Sequence, residues 1–126
     1  MKKTFYDVVE LVAMLTGKNG CPWDKEQTHK SIRKNMLEEA AEAAEAIDSE
    51  DIGSLIEELG DVLLQPVFHA DIARRAGNFS IDDITTALYN KIYSRHTHVF
   101  GGDKALTAED ALAFWQAAKK KEKEEK

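Results

Sequence analysis

Two groups of carboxylates are the residues of this 126-residue chain whose spacing could support chemistry. The first group reads E-E-x-x-E-x-x-E from Glu38 to Glu45, and the second reads E-E-x-x-D from Glu57 to Asp61. Spacings of three and four residues place side chains on one face of a helix. Carboxylates gathered beside a core repel one another unless they are protonated or neutralised by cations. Taken singly, each group is typical of a solvated acidic helix face; if the two groups meet, they could bind a hard divalent cation.

The distance between the two groups along the chain predicts that they meet. A short connection, roughly residues 49–53, joins two helical patterns into an antiparallel hairpin, in which residues equidistant from the turn lie at the same height. Measured from position 50, Glu42 is level with Glu58, and Glu39 is level with Asp61. The two levels are only ~4.5 Å apart, at ~1.5 Å per residue. Since the cluster contains neither cysteine nor histidine, Mg²⁺ or Mn²⁺ fits it better than zinc.

Apolar periodicity and capping signals predict that the elements around this hairpin are also helices. Apolar residues recur at spacings of three and four, and no segment alternates with a period of two. The predicted N-caps are Thr28 or Ser31, Ser80 and Thr107. Gly77 is predicted to end the helix that contains the second acidic group. We expect an all-α bundle of four to five helices forming one domain over residues 1–118. A charged tail over residues 119–126 follows it.

Composition and charge exclude several classes of protein. Apolar residues make up 43% of the chain, which is enough for a core, and 23 acidic against 17 basic residues argue against a nucleic acid polymer as partner. The single cysteine, Cys21, cannot form an intrachain disulfide. Asp7 and Glu10 interrupt the apolar stretch near the N-terminus, so neither a signal peptide nor a membrane span is expected. The sequence predicts a cytoplasmic protein.

Four segments resemble, in order, the motifs of the MazG family of nucleoside triphosphate pyrophosphohydrolases: NGCPWDKEQT, LEEAAEAAEAI, EELGDVLLQPVFHA and RHTHVFG. The resemblance covers about residues 5–120. It implies an all-α fold and Mg²⁺-dependent hydrolysis of a nucleoside triphosphate, in which water attacks the α-phosphorus and releases a nucleoside monophosphate and pyrophosphate. It also implies a homodimer or a higher homo-oligomer, and the nearly all-round apolar stretch 62–73 independently predicts the same.

The resemblance also implies roles for individual acidic residues. Glu39, Glu42, Glu58 and Asp61 match the positions of the metal ligands. Glu38, which precedes them in the E-E-x-x-E motif, would orient or deprotonate the attacking water.

Basic and aromatic residues complete the site that the resemblance implies. Lys91 and Arg95 stand at i and i+4 on one helix face and would bind the phosphates, because the chain has no glycine-rich phosphate loop. Trp23 and Trp115 are candidates for contact with the nucleotide, with packing against the core as the alternative for each.

Two positions depart from the family's pattern. Thr97 replaces the proline of an R-H-P-H motif, and Pro66 stands where an aliphatic residue is usual. Pro66 has no N–H to donate to the Val62 carbonyl, so we expect a kink in this helix.

Two rival interpretations belong to other classes. One is a non-catalytic dimeric helical module that retains an acidic cation site. The other is a di-iron carboxylate bundle, which normally requires paired E-x-x-H motifs that this sequence lacks.

Overall fold

The computed structural model describes residues 1–125, and within them it is helical without any strand, as an all-α prediction requires. The helices are α1 (Phe5–Leu15), α2 (Pro22–Glu26), α3 (Arg33–Ser49), α4 (Ile52–Ala76), α5 (Ile81–Arg95), α6 (Thr97–Phe100) and α7 (Ala108–Glu124). The chain divides into two compact units, Met1–Ile81 and Asp82–Lys126. Among the described residues, no helix is both long enough and apolar enough to cross a lipid bilayer.

The core of the first unit joins α1, α4 and the turn before α3. Its buried residues are Val12, Ile32, Val67 and Phe68. Helix α1 begins with a capping box: the Thr4 hydroxyl accepts from the Asp7 N–H, and the Asp7 carboxylate accepts from the Thr4 N–H.

A buried polar contact also connects α1 to α4. The Thr16 hydroxyl donates to Asp71 Oδ2 over 2.6 Å, and Asp71 accepts further hydrogen bonds from Arg74 at 2.8 Å and Arg75 at 3.0 Å. Burial alone would raise the pKa of the Asp71 carboxyl group. The hydrogen bonds from Thr16 and the two arginines outweigh that effect and hold its pKa below the ordinary value.

Helices α3 and α4 form the antiparallel hairpin that the sequence predicts, and its turn is tighter than expected. Glu50 adopts a left-handed conformation with φ of 58°, and Asp51 caps α4 by accepting from the Gly53 and Ser54 N–H groups. Helix α4 continues through Pro66 and ends at Gly77, whose φ of 76° is the left-handed conformation that glycine tolerates without strain. The kink at Pro66 stays a prediction.

The second unit contains α6, α7 and nearly all of α5. Thr107 caps α7, as predicted, by accepting from the Asp110 N–H. Helix α7 continues beyond residue 118 and includes most of the segment predicted as a charged tail; Lys126 lies outside the described residues. On α5 and α6, the rings of Tyr89, Tyr93 and Phe100 form a stack.

The predicted N-cap of α3 is wrong. The helix begins at Arg33 with Ile32 as its N-cap, and no side chain caps it. Thr28 and Ser31 instead exchange reciprocal hydrogen bonds in the preceding turn, where each backbone N–H donates to the other's hydroxyl. Both hydroxyls accept a backbone N–H, as the side chain of an N-cap does, but these hydrogen bonds close a turn that ends before the helix begins.

Candidate metal centre

The hairpin brings together the four carboxylates that the mirrored spacing pairs. Glu39, Glu42, Glu58 and Asp61 each offer one oxygen, and these oxygens all lie within 4.8 Å of one another. The side chains of Glu39, Glu58 and Asp61 are partly buried, whereas Glu42 is exposed. Two facing helices thus place four acceptors around a space of the size of a cation site.

Two features of this cluster indicate that cations or protons must compensate it. Glu39 Oε2 and Glu58 Oε2 are buried and have no hydrogen-bond partner. Burial raises the pKa of both carboxyl groups above their ordinary value, and the negative charges of Glu42 and Asp61 raise them further. An orphaned buried carboxylate oxygen is costly unless a cation or a proton satisfies it. A donor set made only of carboxylate oxygens suits a hard divalent ion such as Mg²⁺ or Mn²⁺.

Glu38 does not belong to the group of converging oxygens, and its side chain is exposed beside it on α3. That position is compatible with the water-orienting role implied by the resemblance. The role stays a prediction.

The predicted phosphate-binding residues lie on α5, in the second unit. Lys91 is exposed and lines an open cleft with Ser94 and Glu122. Arg95 is largely buried and pairs with Glu122: its Nε donates to Glu122 Oε2 over 3.3 Å, and the Nη2 nitrogen donates over 3.0 Å. The guanidinium group also lies over the Trp115 ring, 5.1 Å from the ring centroid.

The two tryptophans have different surroundings. Trp23 lies on the short helix α2 and is 59% exposed, so packing against a core does not account for it. Trp115 is partly buried and has two cations over its ring, since Lys119 Nζ lies 5.2 Å from the centroid. Contact of either ring with a nucleotide stays a prediction.

Sequence reasoning missed the contact between Glu122 and α5. The segment from Lys119 onward reads as a low-complexity charged tail, in which Glu122 has no distinguishing feature. A usable signal was nevertheless present, because Trp115, Lys119 and Glu122 follow one another at spacings of four and three residues. The face of α7 that carries Trp115 therefore continues through Glu122.

A histidine pair was missed as well. His29 Nδ1 lies 2.7 Å from His69 Nδ1, their ring planes differ by 2°, and their ring centroids are 5.0 Å apart. These values place the rings edge to edge in nearly one plane, joined by a hydrogen bond that allows one proton between the nitrogens. His69 lies on α4, is partly buried and contacts the turn before α3 through His29.

The fold and the carboxylate cluster define an all-α protein with a candidate cation site on a central helix hairpin. Residues 27–100 match the family model of the MazG nucleotide pyrophosphohydrolase domain. The chain belongs to this family, and the resemblance noted from its motifs is confirmed.

Relatives from several bacteria support this assignment. The chain is 50% identical over 113 residues to the uncharacterized protein YabN of Bacillus subtilis, covering 90% of this chain and 23% of YabN. It is 42% identical over 122 residues to the nucleoside triphosphate pyrophosphohydrolase/pyrophosphatase MazG of Thermotoga maritima, covering 97% of this chain and 46% of that protein. It is 44% identical over 108 residues to the nucleoside triphosphate pyrophosphohydrolase of Escherichia coli K12, covering 86% of this chain and 41% of that protein. The chain thus spans between 23% and 46% of the lengths of these relatives.

The fold also matches a solved structure. The crystal structure of a MazG-related protein from Thermotoga maritima superposes with a TM-score of 0.75 at 24% sequence identity. The match covers 91% of this chain and 98% of that one, which confirms the all-α MazG-like fold.

Proposed function

We propose that this chain is a divalent-cation-dependent nucleoside triphosphate pyrophosphohydrolase. The observation that supports the proposal best is the convergence of four carboxylate oxygens within 4.8 Å, two of the four side chains having a buried oxygen without a hydrogen-bond partner. The family match and the relatives named as nucleoside triphosphate pyrophosphohydrolases favour this substrate class.

In the proposed reaction, water attacks the α-phosphorus of a nucleoside triphosphate and the bond to the pyrophosphate leaving group breaks. Glu39, Glu42, Glu58 and Asp61 would hold Mg²⁺, with Mn²⁺ as the next best fit. Mg²⁺ bound there would polarise phosphoryl oxygens and lower the pKa of a coordinated water. Glu38 would accept the proton of the attacking water.

A triphosphate is strongly negative, so an acidic protein can bind it only through cations and a few basic side chains near the phosphate groups. We assign this role to Lys91 and Arg95, which stand one turn apart on α5. An arginine guanidinium can donate two parallel hydrogen bonds to a phosphate, whereas a lysine ammonium acts as a point charge. Trp23 and Trp115 remain candidates for contact with the nucleotide, as the resemblance to the family implies. Neither indicates which base is preferred.

Glu42→Gln tests the metal centre. This change retains the shape of the side chain and removes one of the four charges, so pyrophosphate release in the presence of Mg²⁺ should fall by at least about 100-fold. Loss of a residue that merely supports a metal ligand already costs about 10–100-fold. Without metal, the melting temperature should stay the same or rise, because repulsion among the carboxylates is relieved.

Glu45→Gln is the matched control, since Glu45 is an exposed glutamate on the same helix that lies outside the converging group. It should retain wild-type turnover. Undiminished pyrophosphate release from Glu42→Gln would contradict the metal-centre assignment. No metal-dependent release from the wild-type chain with any ribo-, deoxy- or modified nucleoside triphosphate would favour the non-catalytic helical module.

We also propose that the chain forms a homodimer or a higher homo-oligomer. Four apolar residues are exposed along the first half of α4 at spacings of three and four residues: Ile52, Ile56, Leu59 and Leu63. The apolar composition of the second half led to the prediction of an oligomer. In the structure, Val67, Phe68, Ala70 and Ala73 of this half are buried in the first unit. The exposed stripe is therefore the surface that a second copy would cover.

A further inference from the structure

Ser94 and Arg95 form an oxyanion receptor on α5, and a carboxylate of the same chain occupies it. Glu122 Oε1 accepts from the Ser94 hydroxyl over 2.7 Å, and Glu122 Oε2 accepts two hydrogen bonds from the Arg95 guanidinium group. One planar anion thus receives three hydrogen bonds from two adjacent residues of the last turn of α5. The same donors would suit the oxygens of a phosphate group.

Two open clefts border the receptor, and besides Glu122 their charged residues are of both signs: Lys91 and Lys121 are basic, whereas Asp103 and Glu125 are acidic. Lys91, one turn before Arg95, lines an open cleft of about 420 Å³ with Ser94 and Glu122. A second open cleft, of about 430 Å³, reaches Ser94 and Glu122 from the side of Thr97 and Lys121. Both clefts therefore border the bound carboxylate.

Burial and stacking give the receptor a fixed shape. The Arg95 side chain is only 12% exposed, and its guanidinium group lies against the Trp115 ring, while the Glu122 side chain is 34% exposed. The Arg95 guanidinium group is therefore held in place between α5 and α7, whereas the Glu122 carboxylate is partly exposed to solvent. The Glu122 side chain can leave the receptor by a change of rotamer.

We propose that Glu122 is an intramolecular competitor for the phosphate-binding position formed by Ser94 and Arg95. A phosphate group of the substrate enters by displacing the Glu122 carboxylate, so α7 raises the substrate concentration that is needed to occupy the position. Glu122 is a positioning residue, because it acts through Arg95. The identity of the substrate rests on the proposed function, whereas the competition itself concerns any polyphosphate.

Equilibrium binding of inorganic tripolyphosphate, measured by isothermal titration calorimetry without metal, tests the competition directly. Glu122→Gln and Glu122→Ala should both bind this probe about fivefold more tightly than the wild type, because Glu122 is the more exposed partner of the ion pair and its displacement costs about a factor of five. Glu124→Gln is the matched control: it removes the same charge from the same helix and should bind like the wild type. Circular dichroism melting verifies that each variant is folded.

A purely structural ion pair predicts the opposite result. If Glu122 only joins α7 to α5, its removal loosens Arg95, and tripolyphosphate binds equally or less tightly. That outcome would overturn the proposal, as would equal tightening in Glu124→Gln, which would indicate net charge alone. If the proposed function is wrong, the wild type will not release pyrophosphate, whereas the order of the tripolyphosphate affinities will be unchanged. The two failures can therefore be distinguished.

Discussion

The buried contact between α1 and α4 permits a prediction of stability with a magnitude. In Asp71→Asn the side chain keeps its shape but loses the charge that accepts from Thr16, Arg74 and Arg75. Arg74 is 53% exposed, so its ion pair contributes little, whereas the Asp71 side chain is 5% exposed and its bonds to Thr16 and Arg75 are shielded. Two hydrogen bonds to a buried charge, each weakened rather than lost, should lower the free energy of unfolding by about 2–3 kcal/mol.

The assay is thermal unfolding followed by circular dichroism at neutral pH. For a chain of this length, about 2–3 kcal/mol corresponds to a decrease in Tm of roughly 10 °C. Glu10→Gln on α1 is the control for loss of an exposed carboxylate and should change the Tm by less than about 2 °C. Thr16→Val, which removes only the hydroxyl donor, should give a smaller loss than Asp71→Asn.

The pH dependence supplies an independent check on the same contact. The pKa of Asp71 is lower in the folded chain than its ordinary value of 3.8, so the unfolded chain binds the proton more readily. The stabilisation is therefore complete above pH 3.8 and is lost as the pH falls through the folded-state pKa. The curves of the wild type and Asp71→Asn should converge on acidification. A Tm of Asp71→Asn equal to that of the wild type at neutral pH would refute the reasoning.

Three further predictions concern assembly, the proline and the histidine pair. Sedimentation at micromolar concentration should show a dimer or a larger oligomer, and a fully active monomer would contradict the proposed role of the exposed stripe on α4. Pro66→Val should restore the hydrogen bond to the Val62 carbonyl and raise the free energy of unfolding by about 1–3 kcal/mol with little change in activity; a large loss of activity in a folded variant would show that the proline positions Asp61. Burial and the neighbouring His29 lower the pKa of His69 from 6.5, so the unfolded chain takes up the proton first and stability should fall as the pH drops below 6.5. His69→Gln should flatten that part of the stability curve, and an unchanged slope would assign it to other groups.

The features predicted correctly from the sequence are those that local chemistry determines. Thr107 caps α7, and Gly77 ends α4, because capping depends on residues within one turn. The convergence of Glu39 with Asp61 and of Glu42 with Glu58 was predictable as well, since helix rise and a short turn fix the register of a hairpin.

The features that were missed depend on short or distant relationships. Helices α2 and α6 have five and four residues, which is too short for an apolar periodicity to develop. The pairs His29–His69 and Arg95–Glu122 join residues 40 and 27 positions apart. A local pattern can show which helix face carries Glu122, but it does not identify the residue that this face contacts. A prediction of these contacts requires the packing of the helices.

All four carboxylates of the candidate metal centre come from one continuous segment, residues 39–61, whose geometry depends on the turn at Glu50 and Asp51. Each residue inserted in that turn would rotate α4 by ~100° and advance it by ~1.5 Å, which would carry Glu58 and Asp61 away from their partners. The turn therefore sets the ligand geometry as strictly as the ligands themselves do. Because a single hairpin carries the whole donor set, we expect that the segment can be grafted into another antiparallel helix pair, provided that the turn is moved with it.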